Sequence, residues 1–242
     1  MDAYYDLSES PVNFNVMEFL GAAVAYGADH IYFDATKGVK AKFSIEETNE
    51  RFASILVPCC RLMGVRYTIL TEKGTCPIHP IINPGYHVSA LLRAYKTTGC
   101  IGFIKPSYNL AAEESKKFTI TLRQSDRYPF RNSDVAAWER FATRINALII
   151  PDYIEKKIPL ETKVELWANA QMNFFVNNGP AIMCYLSKIP YLSFFKWHDR
   201  EYHIHHGFPD GSQFPWATKS QKILWEMDSY DNLMRAFEAH CI

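Results

Sequence analysis

One stretch, residues 174–195 (FFVNNGPAIMCYLSKIPYLSFF), constrains the fold more than any other. It begins apolar and β-prone, turns at Asn177-Asn178-Gly179-Pro180, continues as a helical pattern and closes on a second apolar run at 190–195. Strand, tight turn, helix, strand is a βαβ unit, which requires parallel pairing. Gly179 lets the backbone leave the strand sharply. Pro180 suits the first helical position, where an amide hydrogen would go unused. The turn therefore predicts a helix N-terminus with open N–H groups at the carboxyl edge of a sheet, where α/β folds bind phosphate. A plain strand-to-helix connection that binds nothing is the other reading of the same residues.

Alternation extends along the chain. Residues 16–28 read as a helix with Gly27 near its end, and 30–34 as a short strand ending in Asp34. Ser44 and Glu47 form a capping box for a helix that turns Phe52, Ile55 and Leu56 inward and that Pro58 should kink or end. A strand over 65–71, a loop over 73–85, a helix over 86–98 stopped by Gly99 and a strand over 100–105 follow. Residues 106–117 turn polar and charged and mark a join. Beyond it come a strand at 118–122, a helix over 134–146 capped by Ser133, a strand over 147–151 and a helix over 161–171 after Pro159. Past the βαβ unit lie a loop over 196–218 and a last helix over 229–240. The expectation is an α/β fold of two Rossmann-like halves with largely parallel sheets, residues 1–107 and 108–242.

Composition narrows the class. Over 242 residues, 48% are apolar and 21% charged, with 26 basic and 26 acidic side chains. That is a globular, neutral chain with no electrostatic case for nucleic acid or membrane. No apolar run approaches the ~20 residues a bilayer requires. The opening MDAYYDLSESP is polar and acidic, unlike a secretory or transit signal. Six cysteines, with Cys59 and Cys60 adjacent, fit neither a zinc site nor a disulfide framework, so a reducing, cytoplasmic setting is expected.

Polar residues gather where strands end: Asp34, Arg123, Asp126, Asp152, Asn177 and Asn178. Arg123 and Arg131 flank a helix start, and a guanidinium fork suits a diphosphate, although surface ion pairs would use the same residues. Gln213, Phe214 and Trp216 lie in a turn-rich stretch and could meet a base by edge and face, or plug the core. Asp34 could accept a proton, or serve as a cap. His198, His203, His205 and His206 cluster without a completing metal pattern. No Walker A loop, G-x-G-x-x-G, G-x-S-x-G or H-E-x-x-H appears.

The run TITLRQSDRYPFRNSDVAAWERFA, then ALIIP, then LWANAQMNFFVNNGPAIMCYLSKIPYLSF resembles the donor-binding half of GT-B glycosyltransferases of the heptosyltransferase type and, more distantly, of fucosyltransferase-like enzymes. The resemblance covers roughly residues 117–195 and is weak before them, where the opening glycine-rich loop is missing. The chain is also short for two full domains of that kind. The resemblance implies a compact GT-B-like transferase with a nucleotide-sugar donor as co-substrate and no other cofactor or metal. Asn177, Asn178, Gly179 and Pro180 would cradle the diphosphate beside Arg123 and Arg131. Gln213, Phe214 and Trp216 would meet the donor's base or sugar, and Asp34 would be the base of an inverting reaction. The acceptor is open among glycan, small molecule, protein and modified nucleic acid, and a homo-oligomer is possible. A sugar-nucleotide epimerase or hydrolase, or a non-catalytic binding module, are the alternatives.

Overall fold

The structure is a computed structural model that describes residues 1–40, 44–71, 81–106, 117–126, 128–152 and 158–241, without the side chains of Ile81 and Asp152. The chain divides into two units, Met1–Lys105 and Pro106–Ile242.

In the first unit β1 (Asp2–Asp6), α1 (Asn15–Ala25), β2 (His30–Asp34), α2 (Ile45–Arg51), a π-helical turn (Phe52–Leu56), α3 (Val57–Met63), β3 (Arg66–Leu70), β4 (Ile81–Ile82) and α4 (Val88–Thr98) follow in order. The sheet runs β3-β2-β1-β4, and every pair is parallel. The acidic opening of the chain thus carries an inner strand. Its charges sit at the ends, while Ala3 and Tyr5 are fully buried on alternate positions.

Three local expectations change. Pro58 does not end its helix. The preceding residues wind as a π turn, so the proline falls in the first turn of α3, where no amide hydrogen is missed. The stretch expected to be a loop over 73–85 holds β4, paired with β1, and its residues 73–80 lie outside the described residues. Residues 101–105 form no strand and join no sheet among the described residues. The Gly102 amide donates to the Gly21 carbonyl of α1 and the Lys105 amide to the Leu62 carbonyl of α3, each at 2.8 Å. Helices, not a strand, satisfy this backbone, and Ile101 and Ile104 are buried there. A Cβ on Gly102 would lie 2.7 Å from Val24 Cβ and 3.1 Å from Met63 Sδ. Gly102→Ala is expected to cost about 1–3 kcal/mol of stability, read as a lower urea midpoint at unchanged slope.

The second unit comprises β5 (Phe118–Arg123), α5 (Val135–Ile145), β6 (Leu148–Asp152), α6 (Leu160–Asn169), β7 (Met172–Val176), α7 (Ile182–Tyr185), β8 (Tyr191–Phe194), α8 (Trp197–His205), β9 (Gln221–Leu224) and α9 (Tyr230–Cys241). All strands are parallel, in the order β6-β5-β7-β8-β9. Every residue of β7 and β8 is buried, as in strands covered on both faces. Trp138 and Phe141 of α5 and Leu233 and Ala236 of α9 pack with Phe174 and Phe194 from the sheet.

Here too the structure corrects the sequence reading. The region expected to be a loop over 196–218 contains α8, and β9 follows it. The helix after the organising turn is one turn long. Asp134, not Ser133, caps α5, its carboxylate accepting from the Ala137 amide at 3.2 Å. Ser133 Oγ accepts from the Arg123 amide at 2.9 Å. Buried Gln221 gathers the turn ahead of β8: its Nε2 donates toward the carbonyls of Cys184, Ser187 and Ile189 at 3.2, 3.0 and 2.9 Å.

Both units are therefore α/β with parallel sheets. The strand order reverses between β1 and β4 in one and between β5 and β7 in the other. Such reversals open crevices at the carboxyl ends of strands, where open α/β sheets bind ligands. Among the described residues no helix is long and apolar enough to cross a membrane.

Candidate functional site

At the reversal in the second unit lie the loop after β5 and the turn after β7. The loop passes through a 3-10 turn, Pro129–Arg131. Arg131 Nε donates to Asp199 Oδ1 at 3.1 Å, and one of its terminal nitrogens donates to the Asn177 carbonyl at 3.3 Å. Asn177 Nδ2 donates to the same Asp199 oxygen at 3.2 Å, and Asn177 Oδ1 accepts from the Tyr185 hydroxyl at 3.1 Å. Tyr185 also lies 2.7 Å from Ser193 Oγ. Four elements are tied here through one asparagine and one carboxylate.

The ion pair is unevenly solvated: the Asp199 side chain is 3% exposed and that of Arg131 is 30% exposed. Burial raises the Asp199 carboxyl above its usual range, and the neighbouring Arg131 opposes that rise. Part of the Arg131 side chain is thus open to solvent while Asp199 balances its charge. His203 Nδ1 donates to the Asp199 carbonyl at 2.7 Å, and burial lowers this imidazole to about 4, so it is neutral at pH 7. A second ion pair, Lys196 to Asp228 at 2.7 Å, closes the same edge after β8 and β9.

The structure brings Arg131 and Asn177 together and places Asn178 beside Asn177. It does not present the open helix N-terminus that the sequence suggests. Asn178 Oδ1 accepts from the Ala181 amide at 2.9 Å. The Ile182 and Met183 amides turn back to the carbonyls of Gly179 and Pro180 at 3.4 and 3.0 Å. A one-turn helix has closed on its own turn, which uses the amides an anion would need. Gly179 is not among the glycines with positive φ, so its sharp departure needs no left-handed residue. What the turn retains is a donor of another kind. Asn178 is 5% exposed, and its Nδ2 is sealed from solvent with no acceptor among the described residues.

Arg123 is half-buried at the end of β5, with its amide and carbonyl both bonded to Ser133. Asp126 is exposed, and the Asp152 side chain lies outside the described residues. Phe214 and Trp216 are buried, stacked on one another at 5.0 Å, with Phe208 on the far side of Phe214 at 4.8 Å. Trp216 Nε1 donates to the Tyr185 carbonyl at 2.8 Å. Neither ring offers an open face for a base. Gln213 is likewise committed, bonding the amide and the carbonyl of Ile223 at 2.7 and 2.8 Å along the outer edge of β9. In the first unit Asp34, 4% exposed, accepts from the Tyr4 hydroxyl and, at 2.7 Å, from the Thr36 amide. Burial pushes its carboxyl up, yet the bonds from Thr36 and Tyr4 outweigh it and hold it below the usual range.

Rings open to solvent occur elsewhere on the second unit. Phe130 is 52% exposed, with His198 packed on it at 4.2 Å and Tyr128 at 6.0 Å. Tyr128 and Phe130 neighbour Arg131 in sequence. Their signal was available: two aromatics flank Pro129 in a polar segment between a strand and a capped helix.

No family model matches the chain, and no curated protein matches it. Among solved structures it is similar to E. coli heptosyltransferase WaaC with ADP-2-deoxy-2-fluoro heptose, at 13% identity and a TM-score of 0.43, covering 99% of each chain. A likeness of that strength carries no weight for ligand or reaction.

Proposed function

We propose that the crevice between β5 and β7 binds the donor of a nucleotide-sugar-dependent glycosyltransferase. The observation that supports this most directly is the orphaned Asn178 Nδ2. A buried donor without an acceptor costs about 1–3 kcal/mol, and an oxygen of a bound sugar or phosphate would recover that cost. Arg131, charged and partly open, would face the diphosphate and stabilise the leaving nucleotide as the glycosidic C–O bond breaks. Phe130, 52% exposed with His198 against it, would offer its exposed ring surface to a base. No metal is required in this reading.

The bonds already made to Asp34 favour a second reading, a nucleotide-sugar-binding module without transfer. The Tyr4 hydroxyl and the Thr36 amide occupy the carboxylate that a base would need free.

A thermal-shift screen of the common nucleoside diphosphates and their sugars tests the site, because a ligand of the folded state raises Tm. Asn178→Asp keeps the cap on Ala181 and replaces the orphaned donor by an acceptor. It is expected to weaken binding of the best nucleotide by at least about tenfold, as is Asn178→Ala. Unchanged affinity in both variants, or no Tm shift with any nucleotide, removes this reading. Binding without transfer to any acceptor, unaltered by Asp34→Asn, selects the module.

A further inference from the structure

The first unit has a cleft of about 620 Å³ lined by Ala35, Val39, Lys40, Ile45, Thr48, Asn49, Phe52, Ile69 and Thr71. It lies at the carboxyl ends of β2 and β3 and has no part in the site above. Two features of the chain produce it. None of the residues of α2 is buried, and Ile45 is 77% exposed. The helix beds into the core only from Ile55, within the π-helical turn, onward, where Leu56, Cys59 and Cys60 are buried. The π turn offsets α2 from α3, and such turns inside helices are frequent at functional sites. The edge strand β3 is left with Tyr67 and Ile69 each 37% exposed.

The lining has the make-up of a small-molecule site: apolar walls with a few polar groups, within the usual volume range of about 300–1,000 Å³. Val39, Ile45, Phe52 and Ile69 give the walls, and Thr48, Asn49 and Thr71 give neutral hydrogen-bonding groups. Lys40 is the one ionised side chain among these lining residues, which include no carboxylate. Its Nζ donates to the Glu9 carbonyl at 2.9 Å, a neutral partner that leaves the positive charge uncompensated at that contact.

We propose that this cleft binds a small amphiphile, an aryl or alkyl body with one anionic head directed to Lys40. The reading is independent of the nucleotide site, since it rests on different residues in the other unit. The test uses the full chain and two probes of one shape, 1-anilinonaphthalene-8-sulfonate and its uncharged parent N-phenyl-1-naphthylamine, titrated by fluorescence and, for the sulfonate, by calorimetry. Saturable binding of both at one site per chain is expected. Thr48→Trp, which fills the cleft from an exposed helix, and Ile69→Asp, on an edge strand, should each weaken both probes by at least about tenfold. Lys40→Ala should weaken the sulfonate several-fold more than the neutral probe. Far-UV circular dichroism and Tm identify any variant that has unfolded. Absence of saturable binding, or affinities unmoved by both Thr48→Trp and Ile69→Asp in folded protein, overturns the site. Equal losses of both probes on Lys40→Ala overturn the anionic head.

Discussion

Asp228→Ala is expected to destabilise the second unit by about 3–5 kcal/mol, the usual cost of leaving one buried charge without its partner. Asp228 holds three groups at once. Oδ1 pairs with Lys196 Nζ at 2.7 Å, and Oδ2 accepts from the Asp134 amide at 2.9 Å and from Trp138 Nε1 at 2.8 Å. The side chains of Lys196 and Asp228 are only 6% and 2% exposed, so water cannot replace the lost carboxylate. The change would also loosen the entry to α5 and leave an indole N–H unpaired in the core. Lys196→Met alone is expected to cost less, because Asp228 keeps two donors. Adding it to Asp228→Ala should recover part of the loss, because no ammonium is then stranded. Urea unfolding of the four proteins gives the coupling. A loss below about 1 kcal/mol for Asp228→Ala would show that the pair is not buried in solution.

Glu18→Gln is expected to flatten the pH dependence of stability in the first unit. Glu18 Oε2 is sealed from solvent with no partner among the described residues, and burial pushes this carboxyl up to about 8. In the unfolded chain the group titrates near its ordinary 4.5. The unfolded state therefore gives up its proton first as pH rises. Stability is fully present below 4.5, falls as pH climbs and is lost through about 8. Each tenfold difference in proton affinity between the folded and unfolded chain corresponds to about 1.4 kcal/mol, and because the residue is half-buried overall the loss is on the order of 2–4 kcal/mol. The difference between wild type and Glu18→Gln should be small at pH 4.5 and largest above pH 8. Denaturant midpoints at pH 5, 7 and 8.5 measure it, and a constant difference across that range would place Glu18 in water.

Local chemistry made much of the fold legible. His30–Asp34 is a strand with the expected bounds. Ser44 Oγ accepts from the Glu47 amide at 3.1 Å, as the capping box implied, and Gly99 stops α4 at φ 73°. What was hidden depends on partners distant in sequence. Asp2–Asp6 looks like a polar terminus until β2 and β4 flank it. Residues 101–105 have a strand's composition, but helices supply their hydrogen bonds. The segment holding α8 is rich in histidine and aromatics at no helical period, and its fold is fixed by burying Asp199 and His203. That explains the uneven view of the crevice. Arg131, Asn177 and Asn178 could be placed from strand ends and turn residues. Asp199, which receives both Arg131 and Asn177, lies in a helix that the periodicity does not announce. For Phe214 and Trp216 the turn-rich sequence left two readings, a base contact or a plug in the core, and both rings are buried.

The three carbonyls held by Gln221 make its amide hard to replace by a side chain of the same shape. A carboxylate in its place would exchange the shared donor for an oxygen facing the oxygens of Cys184, Ser187 and Ile189. A Gln221→Glu replacement would thus set the turn before β8 against itself, although the side chain would change scarcely at all in size.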